Sequence, residues 1–219
     1  LLFLTEQKND WDKLHHFFPI FENGKSNSQN KHHMGLNISG LVLDKNYEHS
    51  LPELQSILGQ NIVFDKVVSF EDAIENWKED RYCDIYFSKK GTFVLLSMEL
   101  GGFDFHAKNQ TAFSFVLSEM TMMFTVNYTQ NNQLLRSIME SEEMNEDEGK
   151  PFDFEKDSDD TSELIYHLIE KTLGEDFDDI DLEAKCFRYS FQQDQTSDNS
   201  SETSSQPSSS ENKPWWKFW

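Results

Sequence analysis

The stretch Thr111-Ala112-Phe113-Ser114-Phe115-Val116-Leu117 sets Ala112, Ser114 and Val116 against Phe113, Phe115 and Leu117 in strict alternation. A period of two in β-branched and aromatic residues predicts a strand with two different faces. Downstream, Met122–Tyr128 and Gln133–Met139 flank Thr129-Gln130-Asn131-Asn132, a hairpin signal. Upstream, Cys83–Phe87 and Thr92–Leu100 are β-rich runs separated by Ser88-Lys89-Lys90-Gly91, a short glycine-containing turn. The spacing predicts an antiparallel meander of about five strands.

Further strands are expected at Leu36–Leu43 and Ile62–Val68, on either side of a capped helix, and at Cys186–Phe191. That first helix opens on Ser50-Leu51-Pro52-Glu53, which has capping-box spacing, carries Leu54, Ile57 and Leu58 on one face, and stops at Gly59. A second begins at Ser69-Phe70-Glu71-Asp72, with Ala73, Ile74 and Trp77 as its apolar stripe. In the third, Asp160 caps, Glu163 takes the third helical position, Leu164/Ile165 recurs as Leu168/Ile169, and Gly174 ends the run. A weaker helical pattern covers Asp10–Phe18, with Trp11, Leu14 and Phe18. The predicted class is α+β: the meander, additional N-terminal strands and three to four packed helices in one domain over 1–191.

Gln192–Lys213 holds eight Ser among polar residues, with Pro207 the one exception to that polarity, and such a composition buries too little surface to order itself. Residues 192–213 therefore read as a disordered linker, with a root-mean-square reach of roughly 25 Å. Beyond it stands Pro214-Trp215-Trp216-Lys217-Phe218-Trp219, with three of the five tryptophans in the chain. Exposed indole rings are costly in water, so a groove should cover them, on this domain or on a partner. Membrane docking is disfavoured, because the aromatic run is short and the body is anionic.

The formal charge is −21, from 19 Lys and Arg against 40 Asp and Glu. Phosphate backbones are bound by clustered cations, so a nucleic-acid partner is not expected. Residues 140–184 carry 19 acidic residues against Lys150, Lys156 and Lys171, which places −16 of the total in one stretch. A basic protein partner suits that field.

Signals for chemistry are weak. The chain has no GxxxxGK[ST], GxGxxG, GxSxG or HExxH motif. His15-His16 and His32-His33 are adjacent pairs whose side chains diverge, unlike metal ligands at helical spacing. Asp157-Ser158-Asp159-Asp160 and Glu175-Asp176-Phe177-Asp178-Asp179-Ile180-Asp181 lack the Gly and distal Glu of a calcium loop. No cofactor and no metal are expected. Cys83 and Cys186 belong to no CxxC pattern, which suits a reducing, cytoplasmic setting. There is no apolar run of spanning length, and Leu1-Leu2-Phe3-Leu4 is too short for a signal core.

The sequence thus points to a non-enzymatic interaction or accessory protein with two expected partner-binding elements. One is the acidic surface around Asp176, Asp178, Asp179 and Asp181. The other is the tethered peptide, with Trp215, Trp216, Phe218 and Trp219 as anchors. One version is an immunity-type inhibitor that covers a cationic toxin. The competing readings are a hydrolase-like enzyme with a scattered site at His106 with Glu99 or Asp104, and a subunit of a larger bacterial assembly.

Overall fold

The computed structural model describes residues 35–75, 78–158 and 160–192. The helix expected at 10–18, both histidine pairs, Trp77, Asp159, nearly all of the 192–213 linker and the peptide 214–219 lie outside the described residues. The described residues belong to a single unit.

The alternating stretch becomes β5 (Thr111–Ser118), and every residue in it is buried. Its Phe113, Phe115 and Leu117 face one layer, and Ala112, Ser114 and Val116 face the other, so both sides of the sheet are covered here. β6 (Met123–Gln130) and β7 (Gln133–Glu140) follow as a hairpin closed by Asn131 and Asn132, with φ of 52° and 63°. Two successive left-handed residues make the turn whose twist matches antiparallel strands, and Asn tolerates that conformation. β3 (Tyr82–Phe87) and β4 (Thr92–Leu96) pair across the Gly91 turn, as predicted.

The complete sheet has nine strands in the order β2-β9-β3-β4-β1-β5-β6-β7-β8, with β1 (Asn37–Leu43), β2 (Ile62–Ser69), β8 (Asn145–Gly149) and β9 (Lys185–Phe191) added. All eight pairings are antiparallel. The α+β class stands, but three details were not anticipated. The meander is interrupted, because β1 inserts between β4 and β5. β1 and β2, which flank the first capped helix in sequence, are not adjacent in the sheet, where β4, β3 and β9 lie between them. The unexpected strand, β8, is Asn-Glu-Asp-Glu-Gly, which propensity marks as loop; at a sheet edge its carboxylates reach water and discourage pairing with another chain.

The helices are α1 (Leu51–Leu58), α2 (Phe70–Ile74), α3 (Met98–Gly101) and α4 (Thr161–Leu173). Ser69 and Asp72 form a capping box at the helix start expected there, Asp160 accepts from the Glu163 amide, and Gly59 and Gly174 adopt left-handed φ of 67° and 76°. The capping box expected at Ser50 and Glu53 does not form: Ser50 makes no side-chain cap, and Glu53 binds Lys45 instead. α3 replaces the end of the strand expected to run to Leu100.

α4 and α2 cover one face, which we call the α4 face. There Phe93 meets Phe70, Phe115 and Phe177 at ring separations of 6.0–6.5 Å. Gly40 of β1 leaves room for that ring: a Cβ would lie 2.8 Å from Phe93 Cε2 and 2.6 Å from the Val94 carbonyl. α1, α3 and the following loop cover part of the other face, around Leu41, Val94, Leu54 and Tyr189.

Candidate functional site: a methionine-lined cleft

Three small polar side chains on the outer face of β5 and β6 hold down the loop after α3. Ser114 Oγ donates to the Phe103 carbonyl, Asn127 Nδ2 to Gly102 at 3.0 Å, and Thr129 Oγ1 to Phe105 at 2.7 Å. The strap stops there, so the described residues leave open the continuation of the same face toward the β7–β8 turn. A cleft of about 670 Å³ results. It is within the range of about 300–1,000 Å³ that ligand sites occupy.

Val116 and Thr125 form the floor. Met98 and Phe103 wall one side, Met123 and Met139 lie along the sheet, and Met144 closes the far side. Phe103 is 43% exposed and Met144 39%, so apolar surface faces water. The turn Ser141–Met144 is shaped by Ser141 N donating to the Met144 carbonyl at 2.7 Å and Met144 N to Ser141 Oγ at 3.1 Å. That turn carries Glu142 and Glu143 to the rim, opposite Glu99. No Lys or Arg lines the cleft among the described residues. The chemistry is a flexible, polarisable floor under a ring of negative charge, suited to an apolar ligand that bears cations.

A second cavity, of about 420 Å³, adjoins the first and shares Phe103 with it. Phe105 and Phe191 also line it, and Asp104 and His106 sit in its wall. His106 Nε2 lies 3.0 Å from Asp104 Oδ2, with both side chains about half exposed (46% and 49%). The structure therefore joins His106 with Asp104, whereas Glu99 lines the other cavity.

The acidic residues singled out by sequence fall elsewhere. Asp176, Asp178, Asp179 and Asp181 are exposed on the connection from α4 to β9, whose Phe177 and Ile180 pack into the α4-face core. Asp176 caps a 3-10 turn (Phe177–Asp179) by accepting from the Asp178 amide, and Asp181 accepts from the Glu183 amide, both at 3.0 Å. They are on the face opposite the cleft. Within 140–184, the ion pairs among the described residues are those of buried Arg136 with Asp147 and Glu155. The Arg136 guanidinium holds the Asp147 carboxyl below the usual range.

Cys83 and Cys186 are free and buried on adjacent strands. Burial pushes the Cys83 thiol up and the Cys186 thiol up to about 12, so neither is a thiolate at neutral pH. Among the described residues no group of three or more His, Cys, Asp or Glu is placed to hold a metal ion, and no helix is long and apolar enough to cross a membrane.

The cleft was not anticipated from sequence. One signal pointed to it: six of the seven methionines fall between residues 98 and 144. Comparison of the chain with family models, curated proteins and solved structures finds no match.

Proposed function

We propose that the protein is a non-enzymatic binding module, and that its ligand is a basic, apolar segment of a partner protein seated in the methionine-lined cleft. The observation that carries this reading is the pairing of an apolar lining (Met98, Met123, Met139, Met144) with a rim of Glu99, Glu142 and Glu143. An uncovered apolar patch with a polar rim is the signature of an interaction surface. Methionine adds adaptability, since its unbranched thioether repacks around differently shaped side chains. The wider acidic field of 140–184, including Asp176, Asp178, Asp179 and Asp181, then steers a basic partner toward the domain and raises the rate of encounter. An immunity-type inhibitor acting on a cationic protein is one form of such a module.

The test uses an amphipathic peptide of Lys and Leu as the probe. Its affinity is expected to fall at least about tenfold as the screening length shrinks from about 30 Å at 0.01 M salt to 3 Å at 1 M. Met139→Lys, which sets a cation on the cleft floor, is expected to weaken the probe at least about tenfold, or 1.4 kcal/mol. Affinity indifferent to salt would remove the acidic rim from the account, and unchanged binding by Met139→Lys would remove the cleft.

A further inference from the structure

We infer that the cleft of the free chain is occupied by its own 214–219 segment, which a partner segment must displace. The inference rests on the cleft being a peptide-binding site, and three observations on this molecule carry it. The first is chemical match. Pro214-Trp215-Trp216-Lys217-Phe218-Trp219, with Lys213 before it, is apolar and cationic, the class of ligand that a methionine floor and a rim of Glu99, Glu142 and Glu143 would take. Indole rings pack well against thioethers, and Trp is foremost among anchors at protein interfaces.

The second is the point of departure. β9 ends at Phe191, and Gln192 N donates to the Asn61 carbonyl at 2.9 Å. Phe191 lines the cavity that adjoins the cleft, and Phe103 is common to both. The chain therefore leaves the sheet on the cleft side, one cavity away from it. The third is length. Residues 193–213 number 21, and a Ser-rich linker of that size has a root-mean-square span of roughly 25 Å and a fully extended limit of about 70 Å. A linker matched to its span gives an effective concentration in the millimolar range, so even a modest intrinsic affinity fills the site.

The experiment compares the full chain with a full-length variant carrying Trp215→Ser, Trp216→Ser, Phe218→Ser and Trp219→Ser. A labelled peptide of residues 213–219 and the Lys/Leu probe are each titrated into both, with anisotropy as the readout. The variant is expected to bind both ligands. The parent chain is expected to bind both at least about tenfold more weakly, because the tethered segment competes at high effective concentration. Adding Met139→Lys to the variant is expected to abolish capture of the 213–219 peptide. If the variant binds the Lys/Leu probe but not the 213–219 peptide, self-occupancy is overturned while the binding site stands. Equal affinities of parent and variant for both ligands overturn it as well. If neither ligand binds either protein, the binding site itself fails, and self-occupancy with it.

Discussion

Replacing Asp84 by Ala is expected to destabilise the protein by about 3–5 kcal/mol, the range found when one member of a buried ion pair is removed. Asp84 is fully buried on the α4 face of β3. Arg188 on β9 grips it in a fork, Nε to Oδ1 at 2.7 Å and Nη2 to Oδ2 at 2.8 Å, and Lys78 after α2 binds it from the other side. Lys78 also donates to the Ala73 carbonyl at 3.1 Å, so the carboxylate ties together two strands and the end of a helix. Truncation leaves two cations without their counter-charge, and the Lys78 side chain is only 9% exposed. For a chain of this size the loss corresponds to a fall in Tm of roughly 6–20 °C.

The same site makes a pH prediction. Burial alone would raise the Asp84 carboxyl, but the hydrogen bonds and charges of Arg188 and Lys78 outweigh it and hold the group below its ordinary value of 3.8. The folded state thus favours the ionised form. Its contribution is complete above the unfolded value and is lost as pH falls through the lower, folded value. Acid titration of stability should accordingly be steeper below about pH 4 for the parent than for Asp84→Ala. Melting curves at several pH values check both points, and a loss below about 1 kcal/mol at neutral pH would mean that the two cations regain water when the carboxylate is removed.

Phe93→Ala should cost a similar amount, about 3–5 kcal/mol, for a different reason. The ring has no exposed surface and meets Phe70 of α2, Phe115 of β5 and Phe177 of the α4–β9 connection. Gly40 beneath it cannot fill the void, since it has no side chain to move. The cavity therefore stays open between sheet and helix layer. Leu134→Ala provides the contrast: that side chain is 43% exposed, and the change is expected to stay within about 0.5 kcal/mol. Denaturant midpoints for the two variants measure the difference directly.

The parts of the fold visible in the sequence are those written in local chemistry. The alternation of Thr111–Leu117, the Asn131-Asn132 and Gly91 turns, the caps at Ser69 and Asp160, and the glycine stops at Gly59 and Gly174 each rest on residues within a few positions of one another. What stayed hidden is non-local. Nothing within Asn37–Leu43 says that it will sit between β4 and β5, and nothing in Lys185–Phe191 says that it will part β2 from β3. Asn145–Gly149 carries three carboxylates that argue against a strand anywhere but at an edge. The cleft was hidden for a related reason. Its methionines come from α3, β6, β7 and the turn after β7, and each one alone reads as ordinary core. Ser114, Asn127 and Thr129 look like interruptions in apolar strands, yet they anchor the strap that decides where the open face begins.

Charge was legible as an amount but not as an arrangement. The excess of carboxylates in 140–184 is plain from composition, yet the structure sends Asp176, Asp178, Asp179 and Asp181 to the α4 face and Glu142 and Glu143 to the cleft. Two of the four aspartates also have backbone duties in their loop, a role that sequence distance alone does not separate from partner binding.

Occupancy of the cleft is read from the response of the methionine methyl groups, carbon-13 labelled, to the Lys/Leu peptide in solution. The chain has seven methionines, and four of them, Met98, Met123, Met139 and Met144, line the cleft. Saturable shifts of those four methyl resonances are expected, with those of the remaining three nearly still. Binding that leaves the four cleft methyls unmoved would contradict occupancy of the cleft.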